Sequence, residues 1–201
     1  MNGSLQSLKD KLIEKKSERA VYQKQLKETI ENKKALSIKL ENTEKARVIA
    51  QIVAQSVQKN LEFQVSNLVS TALASVFPDS YEFKLSFVER RNKTECDLFF
   101  VKNGQECDPM TASGGGVLDV TNFALRVAIW AIKKTRNLFI LDEPFRFVSI
   151  DLQEKCSQMV KEISDKLGIQ IIMVSHLPNI ISSADKIINI TNKKGISKIG
   201  G

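Results

Sequence analysis

Apolar residues in the first third of the chain recur at alternating three- and four-residue steps. Leu5, Leu8, Leu12, Tyr22, Leu26, Leu36, Leu40, Ala50, Ala54, Val57, Leu61 and Leu68 fall on one such series. This spacing keeps one stripe of a helix apolar and is the pattern of a coiled-coil seam. Neither proline nor glycine interrupts residues 5–77, and Pro78 with Asp79 supplies a stop, so the pattern predicts one long helix and a first domain over residues 1–77. The seam is imperfect, because Lys15, Arg19, Thr29, Lys33, Thr43, Arg47 and Gln64 occupy its other positions. At ~1.5 Å rise per residue the stripe extends over most of ~100 Å, and a solitary helix of this kind calls for a partner helix.

After Pro78 the period changes to two. Tyr81, Phe83, Leu85 and Phe87 share one face, Asp97 to Val101 forms a second extended run, and Asn103-Gly104 reads as a hairpin turn, which together predict a small β region. Ser113-Gly114-Gly115-Gly116 then opens into a helix predicted from about Val117 to Thr135. The apolar run Leu138-Phe139-Ile140-Leu141 follows and ends in Asp142-Glu143-Pro144, the pattern of a fully buried strand. A helix from about Leu152 to Leu167 stops at Gly168, and a second buried run, Ile169–Val174, leads into Ser175-His176. This strand–helix–strand alternation predicts a parallel α/β sheet. The chain closes with a strand near Lys186–Ile190 and a turn at Lys193-Lys194-Gly195. The second domain is thus an α/β lobe over residues 78–201.

Charge and cysteine content narrow the class. The formal net charge of +7 favours a polyanionic partner. It is concentrated at one end: residues 1–60 hold 13 Lys+Arg against 7 Asp+Glu, and the remainder 17 against 16. Lysines scattered among glutamates on a long helix read first as a solvated face, and second as a backbone-directed, salt-dependent contact to DNA without sequence preference. Cys96, Cys107 and Cys156 show no CxxC spacing, which points to a reducing compartment and no zinc site. The chain has no apolar run of membrane-spanning length, and Met1-Asn2-Gly3-Ser4 lacks the order of a signal peptide. These features lead to the expectation of a cytoplasmic protein with no membrane partner.

Three short segments carry chemistry. A glycine-rich loop opening into a helix offers backbone N–H groups and the positive helix end to a phosphate, with the Ser113 hydroxyl as a further donor; it also reads as an ordinary turn. Two successive carboxylates at the C-terminal end of a strand sit where open α/β sheets bind ligands. There Asp142 would hold Mg²⁺ through water and Glu143 would polarise a water attacking a γ-phosphate, although acidic residues also favour a helix N-terminus. His176, the single histidine, follows the next strand at the same end.

Their order resembles the second half of an ABC-type nucleotide-binding domain, and residues 111–190 look like the C-terminal lobe of the SMC, RecN and SbcC-type ATPases of DNA repair. The long helix then looks like the returning arm of their coiled coil, with residue 1 falling inside that arm. The resemblance implies ATP and Mg²⁺ as cofactors. It assigns Ser113, Gly114 and Gly115 to the signature motif that touches ATP on the opposite head, Asp142 and Glu143 to Walker B, and His176 to the γ-phosphate-sensing switch. Three departures stand out. Gly116 replaces the usual Gln or Glu. Asp151, the candidate D-loop aspartate, lies eight positions after Glu143 rather than six, with Arg146 and Phe147 in the added space. No GxxxxGK[ST] phosphate loop occurs. Catalysis would therefore need an N-terminal half carrying Walker A and a second head to form a dimer, with an associated nuclease subunit as a further partner. Two rivals remain: a non-catalytic decoy docking on an intact head, and a coiled-coil nucleic-acid-binding protein whose lobe is a scaffold.

Overall fold

A computed structural model describes residues 2–91, 93–193 and 196–200. The first element, α1, is a single helix, Asn2–Val76. With no proline and only Gly3 inside it, nothing breaks the backbone ladder until Phe77, whose N–H still reaches the Leu73 carbonyl at 2.9 Å ahead of Pro78. The chain divides into two units, Met1–Val57 and Gln58–Gly201.

In the first unit the seam residues Leu8, Leu12, Tyr22, Leu26, Leu36 and Leu40 are exposed; Met1 and the Leu5 side chain lie outside the described residues. The apolar surface is not one stripe, however. Val48, Ile49, Ile52 and Val53 lie off the seam and are also exposed. The charged face carries local pairs, Lys15 with Glu18 and Lys45 with Glu41, each at 2.6 Å. Such exposed pairs contribute at most a few tenths of a kcal/mol each.

The second unit begins inside α1, because the last turns of the helix belong to its core. Val65, Val69, Ala72, Leu73 and Val76 are buried there. A three-stranded antiparallel sheet follows: β1 (Glu82–Arg90), β2 (Lys93–Lys102) and β3 (Gln105–Cys107). The β2–β3 turn is the expected Asn103-Gly104, both at positive φ (53° and 77°), as a tight hairpin requires. The outer edge of β1 is closed by α1 itself. The N–H groups of Phe83, Leu85 and Phe87 donate to Ser70 Oγ (2.8 Å), Ser66 Oγ (3.0 Å) and Glu62 Oε1 (2.6 Å), side chains spaced one helical turn apart. A strand edge that would otherwise pair with another chain is thereby satisfied within this one. Replacing both Ser66 and Ser70 with Ala is expected to cost about 2–3 kcal/mol in urea unfolding of the full chain, from two lost bonds and two part-buried N–H groups left unpaired. Unchanged stability would show that this edge is held by packing alone.

The remaining elements carry the site. A short helix not foreseen in the sequence, α2 (Pro109–Ala112), is capped by Asp108, whose carboxylate accepts from the Met110 and Thr111 N–H groups, with Pro109 opening the first turn. The helix expected from Val117 to Thr135 is α3, Gly115–Lys133. Gly115 and Gly116 form its first turn, with Gly114 as the N-cap, rather than a loop before it, and Lys134 in the left-handed region ends it. Then come β4 (Leu138–Asp142), α4 (Ile150–Leu167), ended by Gly168 at φ 64°, β5 (Gln170–Val174) and a 3₁₀ turn, Pro178–Ile181. The closing strand expected near Lys186–Ile190 is β6, Asn189–Lys193, and it pairs with a strand the sequence did not suggest, β7 (Ile196–Gly200). Of the turn expected at Lys193-Lys194-Gly195, Lys194 and Gly195 lie outside the described residues.

Parallel pairing, as expected for an α/β lobe, joins β4 and β5 in the register Leu138↔Gln170 to Asp142↔Val174. These two strands are not fully buried, which corrects the expectation from their apolar runs. Phe139, Leu141, Ile171 and Met173 face the core formed with Val120, Phe123, Val127 and Cys156. The alternate residues face outward, with Ile140 70%, Val174 59% and Ile172 47% exposed. Among the described residues the sheet has two strands and one covered face. The 19-residue helix α3 is long and apolar enough to cross a membrane by composition, but its apolarity serves this core, where Val120, Phe123, Ala124, Val127 and Ala128 are buried.

Candidate active site

The parallel register brings the ends of β4 and β5 side by side, and with them Glu143, Ser175 and His176. Glu143 N–H continues the ladder by one step to the Val174 carbonyl at 2.9 Å. The backbone then turns sharply, and Glu143 itself adopts φ 43°, in the left-handed region that a side chain disfavours. Strain of this kind, of order ~1–3 kcal/mol, persists only where surrounding contacts over-determine the backbone.

The turn aims the carboxylate at the end of β5, and both of its oxygens are engaged. Oε2 accepts from Ser175 Oγ at 3.2 Å, while Oε1 accepts from the His176 N–H at 3.1 Å and lies 2.7 Å from the ring Nδ1. The side-chain hydrogen bond from His176, with support from Ser175 and the His176 N–H, holds the Glu143 carboxyl below its ordinary value against an opposing push from desolvation. A depressed carboxyl stabilises the folded arrangement above its unfolded pKa and loses that contribution as pH falls through its folded value. Glu143 is therefore ionised throughout the neutral range. Asp142, the last residue of β4, lies on the exposed face of the strand pair, in register with Val174.

The glycine segment is built differently from the sequence expectation. Ser113 is half-buried, and its hydroxyl donates to the Pro109 carbonyl at 2.6 Å, so this donor is committed to closing α2. Gly114 is the N-cap of α3 and its carbonyl accepts from Val117 and Leu118. The N–H groups of Gly115 and Gly116, in the first helical turn, have no intrahelical acceptor and provide the anion-binding potential of the segment. Among the described residues, no hydrogen bond links Ser113, Gly114 or Gly115 to Glu143 or His176.

No family model matches the chain. Curated relatives include Rad50 ATPases of DNA double-strand break repair. The protein of Archaeoglobus fulgidus is 26% identical over 157 residues, and that of Pyrococcus abyssi 29% identical over 138 residues. These matches take in 78% and 68% of this chain but span only 17% and 16% of the relatives' own length. Solved structures agree on the fold. One from work on ATP-driven dimerization and DNA-stimulated activation of SMC ATPases superimposes with TM-score 0.57 at 20% identity, covering 73% of this chain and 87% of that one. The Smc head domain of Pyrococcus furiosus, bound to a domain of ScpA, does so with TM-score 0.56 at 20% identity, covering 68% and 34%. The chain has the fold of an SMC-type ABC ATPase head. Its similarity is to the C-terminal part of the SMC and Rad50-type ATPases.

Against that head fold the departures of this chain find a physical setting. Arg146 and Phe147 lie in the segment after Glu143, where Phe145 is buried against Phe123 with ring centroids 5.5 Å apart. The Phe147 N–H donates to Asp119 Oδ2 on α3 at 2.8 Å, and the Arg146 guanidinium stands 5.8 Å over the exposed Phe147 ring. Desolvation raises the Asp119 carboxyl, and the Phe147 N–H opposes that rise. Asp151 falls in the first turn of α4, where an acidic side chain suits the positive helix end. Ser149, six positions after Glu143, is the α4 N-cap. The sequence reading missed Ser175, Asp119 and Phe147 as members of the site. Asp119 carried a usable signal, being the single acidic residue in a largely apolar helix.

The head fold implies ATP and Mg²⁺, and the residues present fit part of that demand. Asp142 offers a solvent-facing carboxylate beside Glu143 at the strand end, the donor type and position for a hydrated hard cation. No GxxxxGK[ST] segment is available to grip the β- and γ-phosphates.

Proposed function

We propose that this chain is the C-terminal half of an ATP-hydrolysing head acting in DNA repair or recombination, completed by a partner half that carries Walker A. The observation that supports it best is the Glu143–Ser175–His176 constellation, in which a water-orienting carboxylate and a histidine stand together at the ends of two parallel strands. In the assembled head Asp142 would hold Mg²⁺, which would supply positive charge to offset that on the transferring phosphoryl group. Glu143 orients the attacking water, and His176 senses the γ-phosphate. Ser113, Gly114 and Gly115 form the signature loop that meets ATP on a second head, Asp151 serves in the D-loop, and dimerisation follows from that shared nucleotide. The uncovered face of β4 and β5 supports the need for a partner half, since parallel strands rich in Ile and Val are stable when both faces are covered. A nuclease subunit, DNA held without sequence preference and a cytoplasmic setting complete the reading.

The test is a steady-state assay at saturating Mg-ATP on the full chain alone and with the Walker A half that co-purifies from the native host. The chain alone is expected to show no turnover above background, and the pair to hydrolyse ATP. Robust turnover by the isolated chain, abolished by Glu143→Gln, would overturn the split-head reading. A second reading, a decoy that docks on an intact head, draws on the engagement of both Glu143 oxygens by Ser175 and His176. It is favoured if the chain binds such a head and lowers its turnover.

A further inference from the structure

The polypeptide after Glu143 is fastened to the first turn of α3 by contacts from both sides. A Cβ on Gly116 would stand 2.9 Å from the Phe147 carbonyl oxygen and 3.0 Å from Val148 Cα, and one on Gly115 would stand 2.9 Å from Phe147 Cβ. Backbone atoms are the obstacle at Gly116, so no rotamer change relieves it. Neither glycine has positive φ, and Gly114 has nothing within 4 Å of an added Cβ. Close approach of the 144–149 segment, rather than backbone conformation, is therefore what requires glycine at 115 and 116.

Asp119, one turn along α3, supplies the polar half of the contact through Phe147 N–H, at the cost of partly desolvating a carboxylate. The segment is pinned further on as well. Phe145 and Val148 are buried, and the Val148 carbonyl accepts from the buried Gln153 side chain at 3.2 Å.

We propose that Asp119, with the Gly115–Gly116 pair, is a positioning device that locks the segment after Glu143 onto the first turn of α3, so that the glycine loop and Glu143 move as one body. Two backbones at this separation cannot slide without opening space between them, and a packed contact of that kind has discrete arrangements rather than continuous play. A ligand or partner that shifts the start of α3 therefore shifts the catalytic carboxylate of the same chain. The lock follows from the geometry of the chain itself, whereas its use in hydrolysis rests on the split-head reading.

Amide hydrogen exchange on the full chain tests the lock. Asp119→Ala is expected to speed exchange of the Phe147 amide by about tenfold, the loss of one hydrogen bond to a charged acceptor, with the β1–β2 amides unchanged. Asp119→Asn keeps an acceptor and is expected to restore protection. Gly116→Ala carries the opposite sign from an ordinary helix: alanine normally stabilises a helical glycine position by up to about 1 kcal/mol, but here it is expected to lower Tm and deprotect residues 144–149. Gly114→Ala is the tolerated control.

Unchanged Phe147 protection in Asp119→Ala, or a raised Tm in Gly116→Ala, would overturn the lock. With the Walker A half bound, Asp119→Ala is expected to lower hydrolysis while sparing ATP-dependent engagement, and Asp119→Asn to recover it. Equal hydrolysis by Asp119→Ala and the parent chain would overturn the coupling. Failure of the parent chain to bind any Walker A half would sink the split-head reading and leave the exchange result standing.

Discussion

In the reconstituted head with ATP, Glu143→Gln is expected to accumulate engaged dimers while Ser113→Arg is expected to abolish them. On the proposed reading Glu143 orients water and contributes little to holding nucleotide, so its amide should slow hydrolysis by about 10²- to 10⁴-fold without weakening ATP binding. The local structure tolerates that change. A glutamine Oε1 in the place of the native Oε1 can still accept from the His176 N–H and from a protonated ring Nδ1, while its Nε2, in the place of Oε2, can donate to Ser175 Oγ. Ser113 sits at the junction of α2 and α3, where a long cationic side chain would occupy the approach to the Gly115 and Gly116 N–H groups. Engagement is then lost before chemistry begins. Size-exclusion chromatography or crosslinking with ATP separates the two lesions. If both variants behave alike, or neither alters dimerisation or hydrolysis, the roles assigned to Ser113 and Glu143 are wrong and the decoy reading is preferred.

The second large effect concerns the uncovered face of β4 and β5. Ile140 and Ile172 lie opposite each other in the parallel register and are 70% and 47% exposed. In the isolated chain, Ile140→Lys or Ile172→Lys is expected to change unfolding stability by no more than about 1 kcal/mol, since each side chain already faces water. If the Walker A half covers this face, either variant buries an unpaired ammonium there, and affinity for that half should fall at least about a hundredfold. Titration calorimetry or pull-down with the co-purified half checks this. Wild-type affinity in both variants would place the partner elsewhere. Loss of folding in the isolated chain would show that the face is already covered within it.

Two patterns were legible before any coordinates: a three-and-four apolar series free of proline and glycine through residue 77, and apolar runs ending in Asp142-Glu143 and Ser175-His176. The first yields α1 because an uninterrupted backbone ladder needs nothing beyond its own residues. The second yields β4 and β5 with Glu143 and His176 just past their C-terminal ends, because a parallel crossover carries successive strand ends to the same side.

Other features depend on what stands next to a residue, and a linear pattern reports only which side chains are apolar. Phe139 and Ile140 belong to one apolar run, yet one faces the core and the other is exposed, since the sheet has a covering layer on one side only. The left-handed turn at Glu143, the engagement of both its oxygens and the commitment of the Ser113 hydroxyl to Pro109 likewise arise from tertiary neighbours. Gly116 shows the difference most directly. By sequence it was a departure from the signature pattern, standing where a Gln or Glu is usual. In the fold it is the residue that fits, because the Phe147 carbonyl and Val148 Cα leave no room for a side chain.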